Sequence, residues 1–441
     1  MAILIKNGKV VLEDKVIHAD ILIQKNKIFR IAENIRPVKK CEIIDASRKY
    51  IFPGAIDPHT HHELNLGKGR MSSDTFESGT AAALAGGVTT IFDFAHQELP
   101  GETLLQAYKR SIAAAEKANN RIFFHGGIMN LTGDLEEQMN DAYRAGVKSF
   151  KVYTNSIKVN SEFLFRVIKK AGQLKAKVLI HCEDALIIEY LKKQLHLKNK
   201  RGCRYIPASR PDFLEYYSLI SVAALAEHLG AEVYIVHLSS AISADFIKEA
   251  RARGVKIKAE TCPQYLLLTD EVYSKKDGFL YTCTPPFRKK KDTEKLWEML
   301  KKEIIEFIAT DHCPFLKSQK IEFSDSFVNY VYGLPGIQFS PLIMISEMRK
   351  RKFEFPLISR LLSVNASRYF GLYPEIGAIR EGSKADLFIY NPAGKTVLSY
   401  RNWKINSDFN QFEGWSVSGN ISTVIFDGCI CKLNTNTSEK N

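Results

Sequence analysis

The chain has 441 residues, 45% of them hydrophobic and 25% charged, with 62 Lys and Arg against 49 Asp and Glu. That length suits one α/β barrel, which runs to about 250 residues or more, with a smaller module attached. No stretch offers the roughly 20 unbroken apolar residues of a membrane span, and the formal charge of +13 is scattered in pieces such as VIKK and FRKKKD without aromatic-basic interleaving, so neither a membrane nor a nucleic-acid partner is expected.

Residues 1–50 hold short β-like runs, AILIKNGKVV, ADILIQKNKIFRIA and CEIIDAS, separated by polar turns in the manner of hairpins. The start lacks a signal peptide's long apolar segment. The eight cysteines include no CxxC pair, which predicts reduced thiols in a cytoplasmic protein. From residue 51 the pattern changes to apolar, β-branched runs followed by amphipathic stretches, the alternation of βα units. Eight strands are predicted at 51–57, 88–94, 121–128, 147–153, 177–183, 232–238, 255–261 and 304–310. Right-handed crossovers would close them into a (β/α)8 barrel; a doubly wound sheet is disfavoured because no GxGxxG follows the first strand. β-like runs return at 384–392 and 422–432 and are expected to complete the N-terminal sheet, while 433–441 reads as a frayed tail.

Side chains able to bind metal fall where the apolar runs end. His59 and His61 follow the first strand, Lys151 lies in the fourth, His181 in the fifth, His237 in the sixth, and Asp311 follows the eighth. Functional groups gather at the C-terminal face of such barrels, so these positions are expected to converge. Residues two apart in an extended segment point the same way, which lets His59 and His61 share one ion. Lys151 sits between Phe150 and Val152 in SFKVY, and an unpaired ammonium there is costly. It needs either an ion pair or carbamylation, in which the neutral amine adds carbon dioxide and becomes an anion able to bridge two cations.

GAIDPHTH, SSDTFESGTAAALAGGVTTIFDF, SFKVY, IHCED, YIVHLSSA, AETCPQYLLLT, TPPFRKK, ATDHCPF and NASRYFGLYPEIGAIREGSKADLFIYNP together resemble the cyclic amidohydrolases, and within them the hydantoinase and dihydropyrimidinase group. The likeness covers nearly the whole chain. It implies a β-sandwich built from both termini (1–50 and 376–432) beside a barrel at 51–375, a carbamylated Lys151, and two divalent metal ions, usually zinc. His59, His61 and Asp311 would bind the more buried ion and His181 and His237 the other. Lys151 would bridge both. A hydroxide held between the ions is then expected to open a hydantoin or dihydropyrimidine ring, with Asp311 as general base and acid. The resemblance also implies a homodimer or homotetramer, for which the apolar helix face at Val222–Leu229 is one candidate; packing on its own barrel is the other.

Departures from the group's pattern concern the substrate. The group's tyrosine five residues after the lysine is Ser156 here, and Tyr153, on the same side of the strand as Lys151, is the nearest replacement. Thr284 stands where a serine is common and Tyr332 where asparagine is usual. Glu63 replaces the arginine a dihydroorotase would carry, whereas GLPGIQFSPLIM keeps an allantoinase-like alternative open. His62 reads as an exposed loop residue. A relative that has lost catalysis is disfavoured because all six ligand positions are filled.

Overall fold

The structure is a computed structural model and describes residues 2–67, 69–129 and 133–431; the expected tail at 433–441 lies outside them. Two eight-stranded sheets organise the chain. The first contains β1 (Ala2–Val11), β2 (Val16–Gln24), β3 (Lys27–Ala32), β4 (Cys41–Asp45) and β5 (Tyr50–Pro53). The second is the parallel run β6 (Ala55–Asp57), β7 (Val88–His96), β8 (Arg121–Gly127), β9 (Ser149–Tyr153), β10 (Lys177–His181), β11 (Val233–Ile235), β12 (Ile257–Thr261) and β13 (Phe307–Ile308). The chain then returns to the first sheet with β14 (Leu387–Val397), β15 (Ser416–Phe426) and β16 (Cys429–Cys431).

The terminal sheet curls around Ile3, Ile5, Ile21, Ile23, Ile51, Leu387, Ile389 and Ile425, which share one apolar cluster although they come from both ends of the chain. Neither end could bury that face alone. The expected strand at 51–57 is divided between the sheets: residues 50–53 pair with β1 and β14, and 55–57 pair with β7. The switch is Gly54, whose N–H bonds Asp386 O while that of Ala55 bonds Gly87 O. A Cβ at Gly54 would sit 2.1 Å from Thr89 Oγ1, so only glycine fits.

Alternation along the barrel strands separates two environments. Phe150, Val152, Val178, Ile180, Val233 and Ile235 point outward into a cluster with helix residues Val167, Ile168, Leu219 and Val222. The helix face around Val222, Ala223 and Ala226 is thus buried against its own barrel. Inside, Phe92, Phe94, Leu179, Tyr234 and Phe307 fill the middle, and the register aligns Lys151 with Leu179 and Tyr153 with His181. Polar side chains occupy the next layer towards the strand C-termini.

β6 and β13 are too short to pair along their length, so the barrel closes beyond them. Asp311 N bonds His59 O at 3.0 Å and His61 N bonds His312 O at 2.8 Å. Asp57, 3% exposed, accepts Thr310 Oγ1 at 2.5 Å and Thr310 N at 3.1 Å. Replacing Thr310 by valine removes one donor from this seam while Asp57 stays buried, so Thr310→Val is expected to lower unfolding free energy by about 1–3 kcal/mol, read as a lower urea midpoint at unchanged slope.

Candidate active site

The seam that closes the barrel also gathers the first ligand group. In His59-Thr60-His61 the middle residue turns away, Thr60 Oγ1 donating to Asp93 Oδ2 at 2.8 Å. The two imidazoles face each other, with Nε2 atoms 3.1 Å apart. Asp311 Oδ1 lies 3.2 Å from both. Three lone-pair atoms at such distances suit a shared cation. Asp311 reaches this position with φ at 52°, and His237 sits at φ 40°. Non-glycine residues adopt that region at a cost of about 1–3 kcal/mol, which the surrounding structure must supply.

A second pair stands beside the first. His181 Nδ1 and His237 Nε2 are 2.9 Å apart, and the His237 ring is 5.4 Å from that of His59. Lys151 lies on the same inner surface, fully buried, and its Nζ has no hydrogen-bond partner. Burial lowers its pKa to about 8 against the pull of Glu260 and Asp311. A buried amine with nothing to bond is a poor structural element and a good site for chemistry. The residues His59, His61 and Asp311 fit a divalent ion, and the His181 and His237 pair stands beside them with one uncommitted amine.

Carboxylates behind the imidazoles fix which ring nitrogen is free. Glu260 Oε1 takes His59 Nδ1 at 2.5 Å, which turns the His59 Nε2 lone pair towards His61 and Asp311. The same oxygen accepts His237 N at 3.1 Å, and Tyr234 donates to Oε2 at 2.6 Å. Burial raises the Glu260 carboxyl to about 8, these donors opposing it. Glu183 Oε2 takes His181 Nε2 at 2.8 Å and an Arg210 ion pair, leaving His181 Nδ1 to face His237 Nε2. Burial opposes charge on Glu183, but Arg210 and His181 outweigh it and hold the carboxyl at about 2. Burial also drives His59 and His237 well below the usual histidine range, with the charges of Lys151 and the neighbouring imidazoles adding to it, so these rings are neutral and able to coordinate.

Tyr153 points into the same space. Its hydroxyl meets His96 Nε2 at 2.7 Å, and Lys151 Nζ lies 5.1 Å from its ring. Burial raises the phenol well above its ordinary value, so it keeps a proton to donate. The other three predicted substrate contacts differ. Ser156 is in the turn after β9, its N–H on Tyr153 O at 3.1 Å. Tyr332 commits its hydroxyl to Phe327 O at 2.6 Å and sets its ring over Arg210. Thr284 is half-buried at the cis bond to Pro285.

His62 is not an exposed loop residue. It is 4% exposed, and Asp93 Oδ2 from β7 bonds both its Nδ1 at 2.8 Å and its backbone N–H at 2.9 Å, which holds it in the interior. Glu260, Glu183, Asp93 and His96 escape sequence reasoning. The available signal was their place at strand ends, in AET, HCE and FDFAH, but a carboxylate at a strand end has no marker of its own until its histidine is known. Supporting carboxylates of this kind are worth about 10–100-fold in metal affinity. Glu260→Gln is therefore expected to weaken zinc binding by about that factor in a competitive chelator titration; unchanged affinity would remove Glu260 from this role.

Similarity to known proteins spans nearly the whole chain. Residues 50–431 match the amidohydrolase family. A D-hydantoinase of Geobacillus stearothermophilus is 36% identical over 438 residues, covering 97% of this chain and 92% of that one. A D-hydantoinase of Rhizobium radiobacter is 33% identical over 435 residues, covering 97% and 94%. The crystal structure of dihydropyrimidinase from Brevibacillus agri NCHU1002 superposes with a TM-score of 0.94 at 33% identity, covering 98% of this chain and 95% of that one. With its barrel, its ligand cluster and these relatives, the chain belongs to the amidohydrolase family, in its hydantoinase and dihydropyrimidinase group.

Proposed function

We propose that this protein hydrolyses a cyclic amide, opening a hydantoin or dihydropyrimidine ring with two divalent metal ions, zinc first among them. The observation that carries this reading is the meeting of His59 Nε2, His61 Nε2 and Asp311 Oδ1 within 3.2 Å beside a buried, unpartnered Lys151. His59, His61 and Asp311 would hold one ion, His181 and His237 the other, and Lys151, as its carbamate, would bridge them. The carbamate forms when the neutral Nζ adds to carbon dioxide and loses a proton. When bound, the ions supply Lewis acidity, lowering the pKa of a water and polarising the ring carbonyl.

Asp311 then takes the proton of the attacking water and passes it to the ring nitrogen as the C–N bond breaks, leaving a carboxylate and a protonated nitrogen. Tyr153, protonated and beside Lys151, donates to the oxygen that gains charge. The backbone of the Thr284 and Tyr332 segments, and Ser156 in the turn beyond Tyr153, would border the ring pocket. Glu63 caps helix Phe76–Ala85, its Oε1 accepting Phe76 N at 3.2 Å, and so provides no cation for a substrate carboxylate. This argues against dihydroorotate.

We also propose a homodimer or homotetramer. Leu186 and Tyr190 on helix Ala185–Leu197 and Phe213, Tyr217 and Ile220 on helix Asp212–Leu229 form apolar stripes, with Leu186 71% and Tyr217 51% exposed. Such patches mark contact surfaces. The eight free cysteines suit a reducing compartment, and no helix among the described residues is long and apolar enough to cross a membrane.

The deciding assay loads the purified protein with zinc in bicarbonate and offers hydantoin, 5-substituted hydantoins, dihydrouracil, allantoin and dihydroorotate. Turnover of a hydantoin or dihydrouracil is expected; activity on allantoin alone would move the assignment. Asp311→Asn should lower kcat by at least about 10²-fold, and wild-type rates would end its role as base. Lys151→Ala should lose metal together with activity, so a fully metallated Lys151→Ala would refute the bridge. Leu186→Glu with Tyr217→Glu should yield monomers by light scattering.

A further inference from the structure

Lys320 lies in the short helix Lys317–Glu322 and is 2% exposed. Its ammonium has three N–H groups, and three oxygens meet them: Thr282 Oγ1 at 2.9 Å, Val331 O at 3.2 Å and Thr282 O at 3.3 Å. All three acceptors are neutral, and no carboxylate pairs with it among the described residues. Burial lowers its pKa to about 7. A long, basic side chain carried into the interior and given only backbone and hydroxyl acceptors and the Phe409 ring, 5.6 Å away, costs stability that a methionine of similar length would not. The arrangement calls for a return other than packing.

That return is visible in what the three acceptors join. Thr282 lies two residues before Thr284, and Val331 immediately precedes Tyr332. The segments already touch through Thr282 Oγ1 to Val331 O at 2.6 Å and Gly333 N to Thr282 O at 2.9 Å. The second is tied in turn to the strand end that bears Asp311, through Cys313 N to Leu334 O at 3.0 Å and Gly336 N to His312 Nδ1 at 3.1 Å. Gly333, at φ 155°, passes so close to Cys313 O that a Cβ would lie 2.4 Å from it. Three chain segments are therefore joined in sequence to the strand end that bears Asp311, and one amine bonds two of them.

We propose that Lys320 is a positioning residue: its amine clamps the segments carrying Thr284 and Tyr332 against the strand end carrying Asp311, and so sets the seat of the substrate ring without touching it. This rests on the reading that those two segments border the ring pocket. Because the clamp acts on binding geometry and not on the ligand cluster, it separates substrate affinity from chemistry and from metal content.

The test uses the zinc-loaded enzyme with Lys320→Met and with Thr282→Val, which removes one acceptor of the amine together with the direct Thr282 Oγ1 to Val331 O bond. Both are expected to keep full metal content. In Lys320→Met, KM should rise about tenfold or more while kcat stays within about threefold, and Thr282→Val should show a smaller rise of the same kind. Hydrogen exchange followed by mass spectrometry should show faster exchange in peptides spanning 328–335 and unchanged exchange in β10. Unchanged KM in both variants, or equal loss of kcat with constant KM, overturns the proposal. If Lys320→Met does not fold, Lys320→Gln decides by the same two readouts. If the wild-type protein opens none of the cyclic amides, the functional reading fails, and the exchange measurement still decides whether the clamp exists.

Discussion

The site depends on how the barrel closes. Its first and last strands are short, and what joins them is a set of bonds just past their C-terminal ends: Asp311 N to His59 O, His61 N to His312 O, and Asp57 to Thr310. Those bonds hold the two loops that bear His59, His61 and Asp311 in register. Closing the fold and assembling the ligand group are therefore one event, and the left-handed backbone at Asp311 is the local cost of turning its carboxylate inward.

Around that seam the electrostatics follow from water exclusion. His59, His181, His237 and Lys151 share a buried space, and burial favours their neutral forms. Neutral imidazoles have lone pairs to offer, and a neutral amine can react. Glu260 and Glu183 then do the directional work, each holding one ring nitrogen so that the other faces the centre. Arg210 keeps Glu183 charged and also lies beneath Tyr332, which links the histidine pair to the segment carrying Tyr332. Lys320 joins the same segment to that of Thr282 through neutral acceptors.

The C-terminal part of the chain is less separate from this site than its β pattern suggests. Between β14 and β15, Asn406 bonds Asp74 Oδ1 at 2.9 Å and Ser73 O at 2.7 Å, and Ser407 Oγ bonds Phe315 O at 2.9 Å. Asp74 also holds His312 Nε2 at 3.0 Å. A segment with no recognisable motif thereby braces the loops on both sides of the ligand group.

Local pattern was enough for much of the protein. Period-two runs ending in His, Lys or Asp mark barrel strands with their reactive ends, and the HxH spacing alone puts two imidazoles on one side, because side-chain direction in a strand depends only on residue parity. For the same reason Tyr153 could be placed with Lys151. Tertiary structure decided what parity cannot encode. Gly54 divides one apolar run between two sheets because its N–H finds Asp386 some 330 positions away in sequence. His62 is buried because Asp93, from another strand, reaches it. Tyr332 spends its hydroxyl on the backbone, and Glu260, Glu183 and Lys320 acquire roles only through partners brought from distant segments. Hydrogen bonds between residues far apart in the chain leave no periodic trace, so only the folded protein reveals them.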